Sequence, residues 1–143
     1  MSESLNLKRI LAVDYGTKRV GLALTDPLLT FAYPFKTLIN NKNFWKQLKE
    51  IMDEKGVTKI ILGYPVREDG KESILIPEIN KFKEKLKKMF NIDIILWDEI
   101  YTSRIAEKRI IETRTKKKDR RDKGLIDSNA AAIMLQEYLD SKQ

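Results

Sequence analysis

Residues 9–26 read RILAVDYGTKRVGLALTD and contain two apolar runs separated by a short polar segment. The apolar run Ile10 to Val13 has no polar residue within it, so it predicts a strand that is buried on both faces. The polar segment that follows predicts a tight turn, and the second apolar run, from Val20, predicts a strand antiparallel to the first. The hairpin places the carboxylate of Asp14 at the end of the first strand, where a turn alone does not require one.

The remaining apolar patterns predict an α/β fold. Strands are expected over 8–14, 20–25, 31–37, 58–63 and 92–97, and helices in 41–56, from about Pro77, in 103–112 and over about 126–139. Pro34 places the third strand at an edge, Asn41 or Asn43 is expected to cap the first helix, and Gly56 ends it. Three antiparallel strands followed by βα units predict a mixed five-stranded sheet with helices on both faces.

Composition bounds what the chain can do. Its 143 residues, 42% hydrophobic and 34% charged, suit one folded domain over residues 1–143. No apolar run reaches the roughly 20 residues that span a bilayer, and the first residues lack the apolar core of a signal peptide. Because cysteine and histidine are absent, disulfides, thiolate zinc sites and histidine-based catalysis are excluded. We expect a cytoplasmic protein without membrane contact.

The positive charge of the chain is concentrated in one segment. Of the formal net charge of +7, residues 104–124 carry ten Lys or Arg against four Asp or Glu, a net of +6. A basic segment of this kind is typical of a polyanion-binding surface, although a solvated loop has the same composition. The candidate nucleic-acid contacts in it are Lys116, Lys117, Lys118, Arg120, Arg121 and Lys123.

Acidic residues follow the ends of two predicted strands and begin the last helix. Asp14 ends the first strand, Asp98 and Glu99 end the fifth, and Asp127 lies in the first turn of the last helix. If the first and fifth strands are neighbours, their acids meet at one edge of the sheet. Clustered carboxylates repel one another unless a hard cation such as Mg²⁺ or Mn²⁺ binds them. Each acid also has a structural interpretation, as a turn former or as a helix N-terminal acid.

Four motifs together resemble the YqgF/RuvX family of small nucleases, which are related to RuvC-type Holliday junction resolvases and have an RNase H-like fold. DYGTKRVGLALTD (14–26) resembles the family's DxGxKRIGxAxSD, and GYPVREDG (63–70) its GLPxxxDG loop. DEIYTS (98–103) resembles DERLTT, and KGLIDSNAAAIMLQEYL (123–139) resembles KGxxDSxAAxxILxxYL. The resemblance covers nearly the whole chain. The chain departs from it at Ile100, where the family has arginine, and at Tyr64, Lys71 and Tyr101.

The resemblance implies a site and a chemistry. Asp14, Glu99 and Asp127 would be the catalytic, metal-binding carboxylates of a two-metal-ion endonuclease, with Asp98 a less favoured ligand. Lys18 and Arg19 would meet a substrate phosphate, and Gly16 would allow the backbone to turn tightly beside the site.

The family implies two substrates for such a nuclease. One is the 5′ end of pre-16S rRNA, which we favour, and the other is branched DNA. A resolvase must cut two symmetric strands and therefore needs a dimer, whereas this sequence suggests a monomer or a weak homodimer. Two other classes share some features: sugar kinases have a similar DxGT turn but need a second phosphate loop, and a non-catalytic binding module could keep the fold.

Overall fold

The computed structural model describes residues 8–65, 74–98 and 123–142. The predicted helix over 103–112 lies outside these residues, whereas all five predicted strands and the other three helices are confirmed. The elements are β1 (Arg9–Asp14), β2 (Arg19–Thr25), β3 (Ala32–Ile39), α1 (Phe44–Lys55), β4 (Val57–Tyr64), α2 (Ile76–Met89), β5 (Asp93–Asp98) and α3 (Lys123–Ser141).

The five strands form one mixed sheet in the order β3-β2-β1-β4-β5. β2 pairs antiparallel with both β1 and β3, while β4 lies parallel to β1 on one side and to β5 on the other. The expectation that the first and fifth strands are neighbours is wrong: Leu62 of β4 pairs with Val13 and with Leu96. β4 takes the inner position because its segment 60–63 is fully apolar and buried, as a strand covered on both faces must be.

The sheet separates two hydrophobic cores. Leu11 and Val13 of β1 point to a core shared with α1 and α2, whereas Ile10 and Ala12 point to a core shared with α3. This alternation follows from the two-residue period of a strand. It confirms the prediction of helices on both faces.

Three predictions about individual strands and helices have different outcomes. β3 is an edge strand, and its pairing with β2 shifts register next to Pro34, as the proline predicts. The side chain of Asn43 does not cap α1. Asn43 itself adopts helical backbone angles, and Asn41 instead accepts hydrogen bonds at its side chain from the Asn43 N–H and at its carbonyl from the Phe44 N–H. Gly56 ends α1 with a φ of 63°, in the left-handed conformation expected of a helix-ending glycine.

The helices on each face bury most of the residues that the sequence predicts. Phe82 and Leu86 of α2 are buried, but Met89 is 40% exposed, because the i, i+4 row through Phe82 and Leu86 continues to Phe90 instead. α3 begins at Lys123, three residues earlier than expected, so the prediction that Asp127 lies in its first turn is wrong: Asp127 is the fifth residue of the helix. The stretch 130–135 of α3 is buried without interruption. No helix in the described ranges is long and apolar enough to cross a membrane.

Candidate active site

Asp14 lies at the carboxyl end of β1, the central strand of the sheet. Its position in the alternation of β1 is that of Ile10 and Ala12, so its side chain belongs to the α3 side. Asp14 is partly buried, and it forms at least one hydrogen bond or electrostatic interaction. In parallel sheets, ligands bind beyond the carboxyl ends of the strands, and Asp14 occupies such an end.

Gly21 brings Asp127 of α3 to the same place. Gly21 is the cross-strand partner of Asp14 in β2. A methyl group on Gly21 would overlap the backbone carbonyl of Asp127 and would lie 2.8 Å from its Cβ. The start of α3 therefore occupies the space that a side chain at position 21 would fill. Asp127 therefore packs against the residue that lies directly opposite Asp14 in the neighbouring strand.

Arg19 is bonded to Asp127. Its Nε donates a hydrogen bond of 3.1 Å to Oδ2 of Asp127, and the two side chains are 32% and 24% exposed. This partly buried ion pair joins the start of β2 to the start of α3. The positive charge of the guanidinium stabilises the ionised form of the Asp127 carboxylate. The sequence predicts that Arg19 contacts a phosphate, and in the structure its observed partner is a candidate metal ligand.

The turn between β1 and β2 is fixed by Gly16 and by Asn40. A Cβ on Gly16 would overlap the carbonyl oxygen of Arg19, so the tight turn that the sequence predicts does require glycine. Nδ2 of Asn40 donates to the carbonyl of Gly16, and the backbone N–H of Asn40 donates to the carbonyl of Lys18, each at 2.9 Å. Lys18 itself is exposed at the tip of the turn.

Asp98, the less favoured candidate ligand, lies away from the other two acids. It ends β5, with β4 between it and β1, so it is about 10 Å from Asp14 at the usual strand spacing. Asp98 is exposed, and its place in the strand alternation is opposite to that of Trp97, which packs on the α3 side. Glu99 lies outside the described residues. Within them no group of three acids converges to hold a metal ion.

The predicted basic surface falls almost entirely outside the described residues. Lys116, Lys117, Lys118, Arg120 and Arg121 belong to the part of the chain that the structure does not describe. Lys123 is the first residue of α3. Of the expected nucleic-acid contacts that the structure describes, Arg19 is bonded to Asp127, Lys18 lies next to Arg19 in the same turn, and Lys123 begins α3.

Comparison with known proteins identifies the family. Residues 8–141 match the family model described as "RuvX: Holliday junction resolvase". The chain belongs to this family. It is 37% identical over 135 residues to a protein of Chlorobaculum tepidum and 42% identical over 136 residues to one of Chlorobium phaeobacteroides. Both bear the name "Putative pre-16S rRNA nuclease", and each alignment covers 94% of this chain and 94% of the relative.

Solved structures similar to this RuvX family chain are resolvases. RuvC of T. thermophilus in complex with a Holliday junction substrate superimposes with a TM-score of 0.57 at 10% identity, covering 94% of this chain and 95% of that one. A Fowlpox virus resolvase bound to Holliday junction DNA gives a TM-score of 0.56 at 16% identity, covering 94% and 98%. At these identities the likeness concerns the fold alone, which is RNase H-like as the sequence motifs imply.

Two residues that shape this site are not predicted from the sequence to have a role in it. One is Gly21, which lies within the first motif. A glycine inside an otherwise apolar strand often marks a close approach of another backbone, and this signal could have identified its role. Asn40 lies far from the turn in sequence, at the end of β3, and no local pattern connects it to Gly16.

Asp26, the last acid of the first motif, holds a neighbouring loop. Its carboxylate accepts hydrogen bonds from the backbone N–H groups of Phe31 (2.7 Å), Thr30 (2.8 Å) and Leu28 (3.2 Å). These bonds, that from Phe31 foremost, lower the pKa of Asp26 below its usual value of 3.8. The loop includes Leu29 in a left-handed conformation with a φ of 57°. Asp26 therefore shapes the β2–β3 connection, at the opposite end of β2 from Arg19.

Proposed function

We propose that the chain is a metal-dependent endonuclease that hydrolyses phosphodiester bonds by a two-metal-ion mechanism. The observation that supports this most directly is the close packing of Asp127 on Gly21, the cross-strand partner of Asp14, together with the ion pair between Arg19 and Asp127. Two acids from distant parts of the chain thus lie near the carboxyl end of a central strand, which is where α/β proteins bind ligands. Glu99, two residues beyond Trp97 in the sequence, would be the third carboxylate.

The donor atoms present suit a hard divalent cation. Asp14 and Asp127 supply carboxylate oxygens, the ligands that Mg²⁺ and Mn²⁺ prefer. When bound, the cations would lower the pKa of a water molecule and stabilise the leaving oxygen.

The protein's own groups position these acids and the substrate. Gly21 leaves the space in which the backbone of Asp127 approaches β2, and the Arg19–Asp127 ion pair orients the Asp127 side chain. Lys18, exposed on the same turn, can bind a phosphate of the substrate backbone. The basic residues around Lys116–Lys118 would add affinity that does not depend on base sequence.

The 5′ end of pre-16S rRNA is the substrate that we favour. The support comes from the names of relatives that are 37–42% identical over nearly the whole chain. Such a role places the protein in the cytoplasm. Branched DNA is the second candidate, because the family description is that of a Holliday junction resolvase.

The deciding experiment compares cleavage of the two substrates by the wild-type protein and by Asp14→Asn. A labelled RNA carrying the immature 5′ end and a labelled four-way DNA junction are incubated with Mg²⁺, with Mn²⁺ or with excess EDTA. We expect cleavage of the RNA with either cation, and a loss of at least roughly 100-fold in Asp14→Asn because the variant lacks a charged ligand. Asp53→Asn, which removes an exposed acid on α1 that pairs with Lys49, is the matched control and should cleave normally.

Two outcomes would contradict the proposal. Full activity in EDTA, with metal removal verified, would exclude metal-dependent hydrolysis. Binding of either substrate without cleavage under any of these conditions would indicate a non-catalytic module instead. Preferential cleavage of the junction would keep the nuclease and change the substrate to branched DNA.

A further inference from the structure

A second groove lies at the same end of the sheet, on the face opposite Asp127. It is lined by Tyr15, Asn40, Trp45, Glu78, Lys81, Phe82 and Lys85 and has a volume of about 230 Å³. Tyr15 follows Asp14 directly, so the strand alternation directs the two side chains to opposite faces of the sheet. The groove therefore begins one residue from the candidate active site; it shares Asn40 with the turn of that site, but none of the candidate metal ligands lines it.

The floor of this groove is aromatic. The ring of Tyr15 lies 4.8 Å from that of Phe82, and the ring of Trp45 lies 5.1 Å from that of Phe82, measured between centroids. Phe82 is buried, whereas Tyr15 and Trp45 are half-buried and keep part of their surface open to the groove. The pocket is smaller than the roughly 300–1,000 Å³ of sites for drug-sized ligands, and it suits a single planar ring.

The rim of the groove is positively charged. Lys81 and Lys85 lie one turn apart on α2, and Nζ of Lys85 is 4.6 Å from the centre of the Trp45 ring. Neither amine forms a salt bridge within the described part of the chain. A wider groove of about 590 Å³ continues along α2 past the same two lysines to Lys88.

Of the two helices on this face of the sheet, α2 is the more positively charged. α2 carries five lysines and two glutamates, a net charge of +3, whereas α1 carries three lysines and three acids and is neutral. Glu78 and Glu84 line the two grooves as well, so the excess of positive charge there comes from Lys81, Lys85 and Lys88. The positive charge thus accumulates on the helix that borders the groove.

We propose that this aromatic groove binds a single-stranded segment of the nucleic-acid substrate, next to the phosphate that is cleaved. An unpaired base would stack on Tyr15 and, in place of the Lys85 ammonium, on Trp45, while Lys81 and the displaced Lys85 bind the phosphates on either side. Aromatic side chains beside a track of lysines are the common means of binding single strands without base specificity. The inference rests on the proposed nuclease function, to which it adds a preference for unpaired nucleotides beside the cleavage site.

The first test measures binding of the full-length protein to a fluorescein-labelled oligouridylate of about twelve nucleotides, within the usual site size for single strands. Excess EDTA prevents cleavage. Lys81→Gln/Lys85→Gln should weaken binding by about tenfold, and the slope of log affinity against log salt should fall by about 0.7 for each phosphate that the variant no longer neutralises. The matched control, Lys83→Gln/Lys87→Gln, removes the same charge from the same helix at positions that do not line the groove. Equal effects of the two double variants would overturn the proposal.

The second test detects stacking through the fluorescence of Trp45. The chain has two tryptophans, and Trp97 lies on the other face of the sheet, where its Nε1 donates to Glu137. In Trp97→Phe, oligouridylate should quench the remaining fluorescence, while an abasic oligonucleotide of equal charge should not. In Trp45→Phe, which keeps an aromatic ring in the groove, oligouridylate should leave the fluorescence of Trp97 unchanged. Quenching of Trp97 alone, or no quenching, would exclude the groove as a base-binding site.

These tests separate this proposal from the proposed function. If Asp14→Asn abolishes cleavage but the groove variants bind oligouridylate like their control, the nuclease proposal stands and the groove proposal fails. If the groove variants lose single-strand affinity but the wild-type protein cleaves nothing, the groove proposal stands and the nuclease proposal fails. A groove that docks a protein instead would leave oligouridylate affinity unchanged in Lys81→Gln/Lys85→Gln, which also overturns the proposal.

Discussion

The replacement Gly21→Ala tests whether the approach of α3 to β2 builds the active site. The added methyl group would overlap the backbone carbonyl of Asp127 and lie 2.8 Å from its Cβ. Ordinary carbon–carbon contacts are about 3.5–4.0 Å, so the start of α3 must move by about 1 Å. Overpacking of this kind costs about 1–3 kcal/mol in the free energy of unfolding. For a domain of this size, that cost lowers Tm by roughly 3–10 °C.

The same displacement should also lower the rate of cleavage, even where the variant remains folded. A shift of about 1 Å in a catalytic group can cost about 100-fold in rate. We therefore expect single-turnover cleavage by Gly21→Ala to fall by about that factor at a temperature where the variant is fully folded. The assay is run with Mg²⁺ at saturating enzyme, and folding is checked by circular dichroism in the same buffer.

Leu48→Ala serves as the control for stability alone. Leu48 is fully buried in the core on the α1 side, away from α3, and its truncation should cost about 2–5 kcal/mol. It should cleave normally while folded, although it is at least as destabilised. If Gly21→Ala has the wild-type Tm and rate, the steric argument is wrong. If it is destabilised but cleaves like Leu48→Ala, Gly21 does not position the site.

Three further predictions concern charged groups. Asp26→Ala should lower the stability at pH 7, and the difference from the wild type should shrink as the pH falls from the usual value of 3.8 through the lowered folded-state pKa of Asp26. A lowered folded-state pKa stabilises the fold fully above the unfolded-state pKa and not below the folded-state one; chemical denaturation at pH 7 and at a series of acidic pH values checks this. A double-mutant cycle of Arg19→Ala and Asp127→Ala should give a coupling of about 0.5–1 kcal/mol in EDTA and less with saturating Mg²⁺, if Asp127 then binds the cation. Neutralising Lys116, Lys117 and Lys118 should weaken RNA and DNA binding alike and reduce the salt dependence of affinity, whereas an unchanged slope would indicate a solvated loop.

The sequence predicts the layers of the fold well because apolar periodicity and burial are directly coupled. The uninterrupted run at Ile10–Val13 does form a strand covered on both faces, and Pro34 does lie in an edge strand. Strand order is harder to predict, because it depends on which apolar strand is covered most completely. That competition places β4 between β1 and β5, which the motifs alone do not indicate.

The candidate site is predicted in part for a similar reason. Asp14 ends a buried strand, and Asp127 lies in α3 shortly before its buried stretch 130–135, so each acid is visible in the sequence as a polar residue next to an apolar run. The contacts that connect them are not visible in this way. The Arg19–Asp127 ion pair joins residues that are 108 positions apart, and it depends on how closely two backbones approach at Gly21. Such a contact is a property of the packed structure and leaves no local pattern.

The two proposed sites lie on opposite faces of the sheet and are reached from consecutive residues at the end of β1. Asp14 belongs to the α3 side, where Asp127 packs on its cross-strand partner Gly21. Tyr15 packs against Phe82 on the side of α1 and α2. If both proposals hold, a substrate strand must cross the end of β1 between its cleaved phosphate and its stacked base. The turn held by Gly16 and Asn40 lies at that crossing, and Asn40 also lines the aromatic groove. A base of a duplex must unpair before it can stack in the groove. This geometry therefore favours cleavage at single-stranded ends over cleavage within a continuous duplex.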